Sequence, residues 1–189
     1  TGLPAEHLYL TRRNPDLLAD LIEKGCTVSS DNSEATRQSD LILLAVKPYN
    51  IHAILEELVS EINPKKHIIV SVVTGVSLNS LAAILPKGTP LFRAMPNTAA
   101  DVKESITCIC QLHAGPEQID AVNSLFSAVG EVTFIQEELM DAATVMGACG
   151  IAYVMRFIRA MVQGGIEIGF DSKTASTIVM QTVKGAAEI

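Results

Sequence analysis

Leu41-Ile42-Leu43-Leu44-Ala45-Val46 is an unbroken apolar run, and Ile68 to Val73 is a second one, interrupted only by Ser71. Short, continuous runs of this kind suit strands buried on both faces, because a half-exposed strand alternates apolar with polar residues. Between the two runs, after Pro48, the residues Ile51, Ile54, Leu55, Leu58 and Ile62 recur at helical spacing, and Asn63-Pro64 ends that helix. Strand, helix and strand in this order mean a parallel sheet with crossover helices. The rhythm continues in both directions. Leu8-Tyr9-Leu10 reads as a short strand, and Pro15 to Lys24 as a helix opened by Asn14 and stopped by Gly25. Leu78 to Leu85 reads as a short helix and Pro90 to Met95 as a further strand.

Beyond residue 100 the pattern is less regular. Ser105 to Leu112 is expected to be a strand, Pro116 to Val129 a helix and Gly130 to Ile135 another short strand. From Glu137 the character changes to long helices, about 137–165 and 172–189, with Asp171 as the expected N-cap of the second. Both are rich in Ala, Gly, Val and Met. Their broad apolar surfaces cannot be buried by two helices alone, so a partner chain or further helices must cover them. Gly147-x-x-Gly150 lies inside the first and reads as a close helix-packing site. The expected division is therefore 1–136 and 137–189.

Charge divides along similar lines. Residues 1–100 carry nine Lys/Arg and ten Asp/Glu, whereas residues 101–189 carry five and eleven. The near-neutral half is the better candidate to meet an anionic cofactor. A formal charge of −7 argues against nucleic-acid binding, which leaves a basic footprint. The apolar stretch Ala142 to Met155 is too short to span a bilayer and runs into Arg156 and Arg159, so no membrane segment is expected. Cys26, Cys108, Cys110 and Cys149 form no CxxC pair. Cys108 and Cys110 point to one face of their strand as ordinary buried thiols, no metal site is expected, and the chain reads as reduced and cytoplasmic. His7, His52, His67 and His113 lie near element starts or on exposed helix positions without partner spacing, and yield no nucleophile-and-base pair. Met140, Met146, Met155, Met161 and Met180 read as core or interface filler, and Glu137-Glu138 as decoration of a helix N-terminus.

Parallel sheets of this kind bind nucleotides beyond the C-terminal ends of their strands. The G-x-G-x-x-G fingerprint is absent from the chain and would belong to a strand and helix before residue 1; Thr1-Gly2 would make a natural helix C-terminus. The chain is accordingly expected to be a fragment. Leu8-Tyr9-Leu10 would then be the second strand, ending in Thr11-Arg12-Arg13-Asn14. Arginines here either accommodate the 2′-phosphate of NADP or are solvated loop residues. Lys47, in Ala45-Val46-Lys47-Pro48, either reaches a phosphate or solvates a turn. Arg93-Ala94-Met95-Pro96-Asn97-Thr98 places a cation, an amide and a hydroxyl near the same edge.

With these pieces, together with Leu139-Met140-Asp141-Ala142, Gly150-Ile151-Ala152-Tyr153 and Gln181-Thr182-Val183-Lys184-Gly185-Ala186-Ala187, the sequence resembles the pyrroline-5-carboxylate reductase family. The pieces keep the family's order and spacing over essentially the whole chain. The resemblance implies an α/β, Rossmann-like parallel sheet that binds NAD(P), followed by an all-α domain that interlocks with its partner in a homodimer or higher oligomer. It implies reduction of 1-pyrroline-5-carboxylate to L-proline with NADPH or NADH, the last step of proline biosynthesis. By the same resemblance Arg12, Arg13 and Asn32 lie near the adenosine end of the cofactor. Ala45, Val46, Lys47, Pro48, Val72, Val73 and Thr74 line its middle and nicotinamide end, and Asn97 sits close to the reacting centre. A protonated imine is already electrophilic, so the chemistry needs positioning and a proton source rather than a nucleophile.

The chain departs from the family at Gly147-Ala148-Cys149-Gly150-Ile151, where Ser-Gly-Ser-Gly-Pro is usual, and at Ala99, where Pro is usual. A glycine-rich phosphate loop is expected before Thr1 and a substrate-carboxylate loop after Ile189. A related β-hydroxyacid or imine dehydrogenase has the same two-domain plan, and a non-catalytic dimerisation module is the alternative from another class.

Overall fold

The computed structural model describes residues 3–189; Thr1-Gly2, read above as a helix C-terminus, lie outside the described residues. Among the described residues seven strands form two sheets. β1 (Tyr9–Thr11) and β2 (Thr27–Ser29) pair in parallel as one ladder. The other five are β3 (Leu41–Leu44), β4 (Ile68–Ser71), β5 (Leu91–Met95), β6 (Ser105–Leu112) and β7 (Gly130–Phe134), in the order β3-β4-β5-β6-β7. The expected parallel crossovers join β3 to β4 and β4 to β5. β6, however, runs antiparallel to β5. The reason is the short connection after Met95, a 3₁₀ turn at Thr98–Val102, whereas a parallel return needs a crossover of roughly a dozen residues or more.

The helices begin where the sequence places stop and start signals. α1 (Ala19–Glu23) follows a 3₁₀ turn at Pro15–Leu18, where the Asn14 side chain accepts from the Asp16 N–H at 3.2 Å. Gly25, at φ +94°, turns the chain out of α1. α2 (Asn32–Gln38) and β2 carry no apolar periodicity and were not expected. α3 (Ile51–Leu58) turns Ile51, Leu55 and Leu58 inward, and α4 (Leu78–Ala82) buries Leu78 and Leu81. α5 (Pro116–Ser127) covers the opposite face with Val122 and Phe126. Strand residues alternate between these two faces. Ile69, Leu91, Met95 and Cys110 face α3 and α4, while Val70, Phe92, Ala94 and Ile109 face α5.

β3 departs from the expected pattern. Leu44 is buried, but Leu43 is 47% exposed. β3 is the edge of the five-stranded sheet, and among the described residues no ladder joins it to β1, so its apolar run is covered on one side only.

The long helix expected from Glu137 is segmented. A 3₁₀ turn at Glu137–Leu139 leads to α6 (Met140–Ala143), a π-helical turn at Thr144–Ala148, and α7 (Gly150–Glu167). α8 (Ser172–Glu188) follows, and the Asp171 carboxylate accepts from the N–H groups of Lys173 and Thr174, both at 3.0 Å, as its N-cap. Met140 is fully buried in the sheet's core, so residues 137–148 pack with the sheet. Of the paired glycines, Gly147 meets Ile106 of β6 and Gly150 faces open space; the close helix contact is Gly165 against Ala175. No described residue of α7 is buried, and Tyr153, Phe157, Met155 and Met180 are more than half exposed. The run Glu137–Glu167 reaches a mean hydropathy of 1.5, long and apolar enough by length and composition to cross a membrane, against the expectation from residues 142–155 alone. The segments follow one another through the π turn, which is why the helical run is longer than its apolar stretch.

His67, at the start of β4, is buried despite its terminal position in the sequence pattern. Its Nδ1 accepts from the Asn63 N–H at 3.0 Å, and its Nε2 has no partner among the described residues. Burial, helped by Lys66 and opposed by Asp40, lowers its pKa below the ordinary 6.5. The folded state therefore binds fewer protons than the unfolded one. The stability this gives is complete above pH 6.5 and is lost as pH falls through the lowered folded value. The urea midpoint should drop on acidification from that pH more steeply than in His67→Gln; parallel profiles would remove His67 as the cause.

Candidate functional site

The parallel registers align Leu44, Ser71 and Arg93 across β3, β4 and β5, so the three chains leave the sheet along one edge. Beyond β3, Ala45 and Lys47 are exposed and Val46 half-buried. Pro48 opens a 3₁₀ turn in which the Asn50 N–H donates to the Lys47 carbonyl at 2.9 Å. Beyond β4, the Val72 N–H donates to the Leu44 carbonyl at 3.1 Å, which keeps the two strand ends side by side. Thr74 is exposed ahead of Gly75, which turns at φ +76°. Val73 points into the core, 2% exposed, so only its backbone is available to line this edge.

Beyond β5 stands Asn97. Its Oδ1 accepts from the Ala99 N–H at 3.0 Å, its Nδ2 donates to the Gly147 carbonyl at 3.2 Å, and its backbone N–H donates to Ser105 Oγ at 3.1 Å. The amide is therefore engaged on both sides by the protein itself. An open surface depression of about 320 Å³ lies beside it, lined by Ile106, Met146, Gly147, Gly150 and Ile151 among others.

Arg12 and Arg13 are exposed at the end of β1, and among the described residues neither is paired with a carboxylate. The Arg12 N–H donates to the Ser29 carbonyl at 3.1 Å, which aligns the ends of β1 and β2. Asn32 opens α2 and donates to the Glu57 carboxylate of α3 at 3.3 Å. Arg37 adds a 3.2 Å ion pair to Glu61 in the turn after α3, so α2 is tied to α3 and to the turn that follows it. The structure thus brings Ala45–Pro48, Val72–Thr74 and Asn97 to one edge, and places Arg12 and Arg13 at the end of β1 and Asn32 at the start of α2.

One cluster does more than the sequence suggested. Glu137 and Glu138 stand in the first turn of their helical segment, as expected, but Glu137 also reaches across to the N-terminus of α4: its Oε1 accepts from the Leu78 N–H at 2.6 Å and lies 3.6 Å from Nη1 of Arg93. Arg93, 4% exposed, also reaches Asp141 at 3.3 Å. The pairing spans 48 residues of chain to Asp141, and no local pattern announces it. Cys108 and Cys110 share the core face of β6 as expected, and burial pushes the Cys110 thiol up to about 11. Among the described residues no group of His, Cys, Asp and Glu could hold a metal ion.

Two family models match the chain: one described as NADP oxidoreductase, coenzyme F420-dependent, over residues 1–75, and one described as pyrroline-5-carboxylate reductase dimerisation over residues 137–189. A pyrroline-5-carboxylate reductase of Methanosarcina acetivorans is 40% identical over 91% of this chain, which spans 64% of that relative's length. A second, from Synechocystis, is 38% identical over 86% of the chain, which spans 60% of it. Among solved structures, the Coxiella burnetii pyrroline-5-carboxylate reductase superposes with a TM-score of 0.94 at 27% identity, covering 99% of this chain and 70% of that one. The Plasmodium falciparum enzyme, crystallised with NADP bound, gives 0.80 at 28% identity over 87% of this chain and 62% of that one. The α/β sheet is thus Rossmann-like, the following helices match a dimerisation module, and the chain belongs to the pyrroline-5-carboxylate reductase family.

Proposed function

We propose that the protein bearing this chain reduces 1-pyrroline-5-carboxylate to L-proline with NADPH, closing proline biosynthesis in the cytoplasm. The observation that carries this reading is the 40% identity to a reductase of that name along 91% of the chain. The site chemistry agrees with it. Arg12 and Arg13 present two guanidiniums, unpaired among the described residues, at the end of a parallel strand, a donor set suited to the 2′-phosphate that separates NADP from NAD. Asn32 stands at the start of α2, after β2, and in this reading meets the ribose. The backbone of Ala45 to Pro48 and of Val72 to Thr74 lines the middle of the cofactor, and Asn97 borders the reacting centre. When bound, the cofactor supplies the hydride, and the imine carbon accepts it. The chain's own residues bind, orient and keep water away; no nucleophile is required of them.

The exposed faces of α7 and α8 are the dimer surface in this reading. Tyr153, Val154, Phe157 and Met180 leave more apolar area in water than a stable helix pair tolerates, and a second copy covers it.

The protein should consume NADPH on addition of 1-pyrroline-5-carboxylate and release proline; turnover of hydroxyacids alone would refute this function. In Arg12→Ala/Arg13→Ala, the KM for NADPH should rise roughly tenfold or more while that for NADH changes little. Equal changes for both cofactors would remove the arginines from the 2′-phosphate site.

A further inference from the structure

We propose that Asn97 is a positioning residue: its side-chain amide pins the π-helical turn Thr144–Ala148 to the end of β5, and so sets where α7 starts relative to the cofactor edge. The role in turnover rests on the function proposed above; the pin itself does not.

Three observations carry it. First, the amide can be oriented in one way only, because Oδ1 accepts from the Ala99 N–H while Nδ2 donates to the Gly147 carbonyl. Exchanging oxygen and nitrogen would lose both bonds. Second, the acceptor belongs to a π-helical turn, which widens the helix and displaces carbonyls from the α pattern. Third, Asn97 makes the last hydrogen bond to the sheet before the helices leave it, next to Ala148, which packs against the core. Glu137 and Asp141 are held by Arg93, Met140 is buried in the core, and Gly147 is held by Asn97; after Gly150 no described residue of α7 is buried.

The open depression beside the turn, lined by Ile106, Met146 and Ile151, gives it room to move once released. Among the described residues the Asn97–Gly147 bond is the hydrogen bond that ties the turn to the sheet, and together with the packing of Ala148 against the core it sets where α7 starts. Because α7 begins beside the edge that Asn97 borders, a shift of the turn displaces whatever the helices bring to that edge.

Asn97→Asp separates the two halves of the amide's task. The carboxylate can still accept from the Ala99 N–H, but it opposes the Gly147 carbonyl with a second oxygen. Hydrogen exchange measured on the full chain at neutral pH should rise about tenfold across Thr144–Tyr153 in Asn97→Asp, with Thr98–Val102 unchanged. In Asn97→Ala both segments should exchange faster. Turnover of 1-pyrroline-5-carboxylate should fall by about tenfold to a hundredfold in kcat, with the KM for NADPH nearly unchanged. Unchanged exchange at Thr144–Tyr153 in both variants would overturn the pin. A raised KM for NADPH at constant kcat would overturn the positioning role in favour of direct cofactor contact. If the wild-type protein does not turn over the imine, the proposed reaction fails alone, and the exchange measurement still decides the pin.

Discussion

Gly130→Ala should cost about 3–5 kcal/mol of unfolding free energy, against about 5–15 kcal/mol for an ordinary domain. Gly130 opens β7 at φ +144° and pairs with Ser105 of β6. A Cβ added there would lie 2.0 Å from the Ser105 carbonyl oxygen and 2.4 Å from its nitrogen. Both are backbone atoms, so no side chain can swing aside. Ser105 cannot retreat either. It is buried, its N–H donates to the Val129 carbonyl at 3.0 Å, and its hydroxyl receives the Asn97 N–H at 3.1 Å. The strands must part at their first rung, and the movement reaches the candidate site through Ser105 and Asn97. Urea unfolding at fixed protein concentration measures the loss, since self-association would otherwise shift the midpoint. A loss under about 1 kcal/mol would mean that β7 can begin one residue later without disturbing β6.

The elements legible in the sequence are those whose signals are local. Ile68 to Val73 is apolar enough to be a strand wherever it packs, and Asp171 caps α8 because the N–H groups it meets lie two and three residues ahead. Asn14 and Gly25 bound their helix for the same reason. β2 escaped because Thr27-Val28-Ser29 is short and polar, and among the described residues the strand it pairs with is β1. The sense of β6 depends on how much chain separates it from β5, which apolar runs do not report. Leu43 was expected inside because its run is apolar; its exposure depends on which strands stand beside β3. The site divides in the same way. Strand ends such as Ala45–Pro48 and Asn97 follow from the order of elements, whereas the bond from Asn97 to Gly147 spans 50 residues and needs a π turn that no spacing foretold.

The second large effect concerns Arg93 and Glu137, and its sign pattern is the informative part. The guanidinium is held inside by Glu137, at 3.6 Å, and by Asp141, at 3.3 Å, while its Nε has no partner among the described residues. Asp141 is 92% exposed, so water screens its share; Glu137 is 25% exposed and also satisfies the Leu78 N–H. Glu137→Ala leaves a buried cation with only a solvated partner, and should cost about 2–4 kcal/mol. Asp141→Asn should cost less than about 1 kcal/mol. Arg93→Met/Glu137→Met removes both charges and places apolar chains beside Met95 and Met140, which line the same face. Replacing a buried ion pair by apolar residues of similar volume is often neutral or better, so the double variant should be at least about 1 kcal/mol more stable than Glu137→Ala. Full recovery is not expected, because the Leu78 N–H still lacks its acceptor. If the double variant is instead less stable than Glu137→Ala, Arg93 stabilises the fold independently of Glu137. The attachment of residues 137–141 to the sheet would then have to come from Met140 in its core pocket.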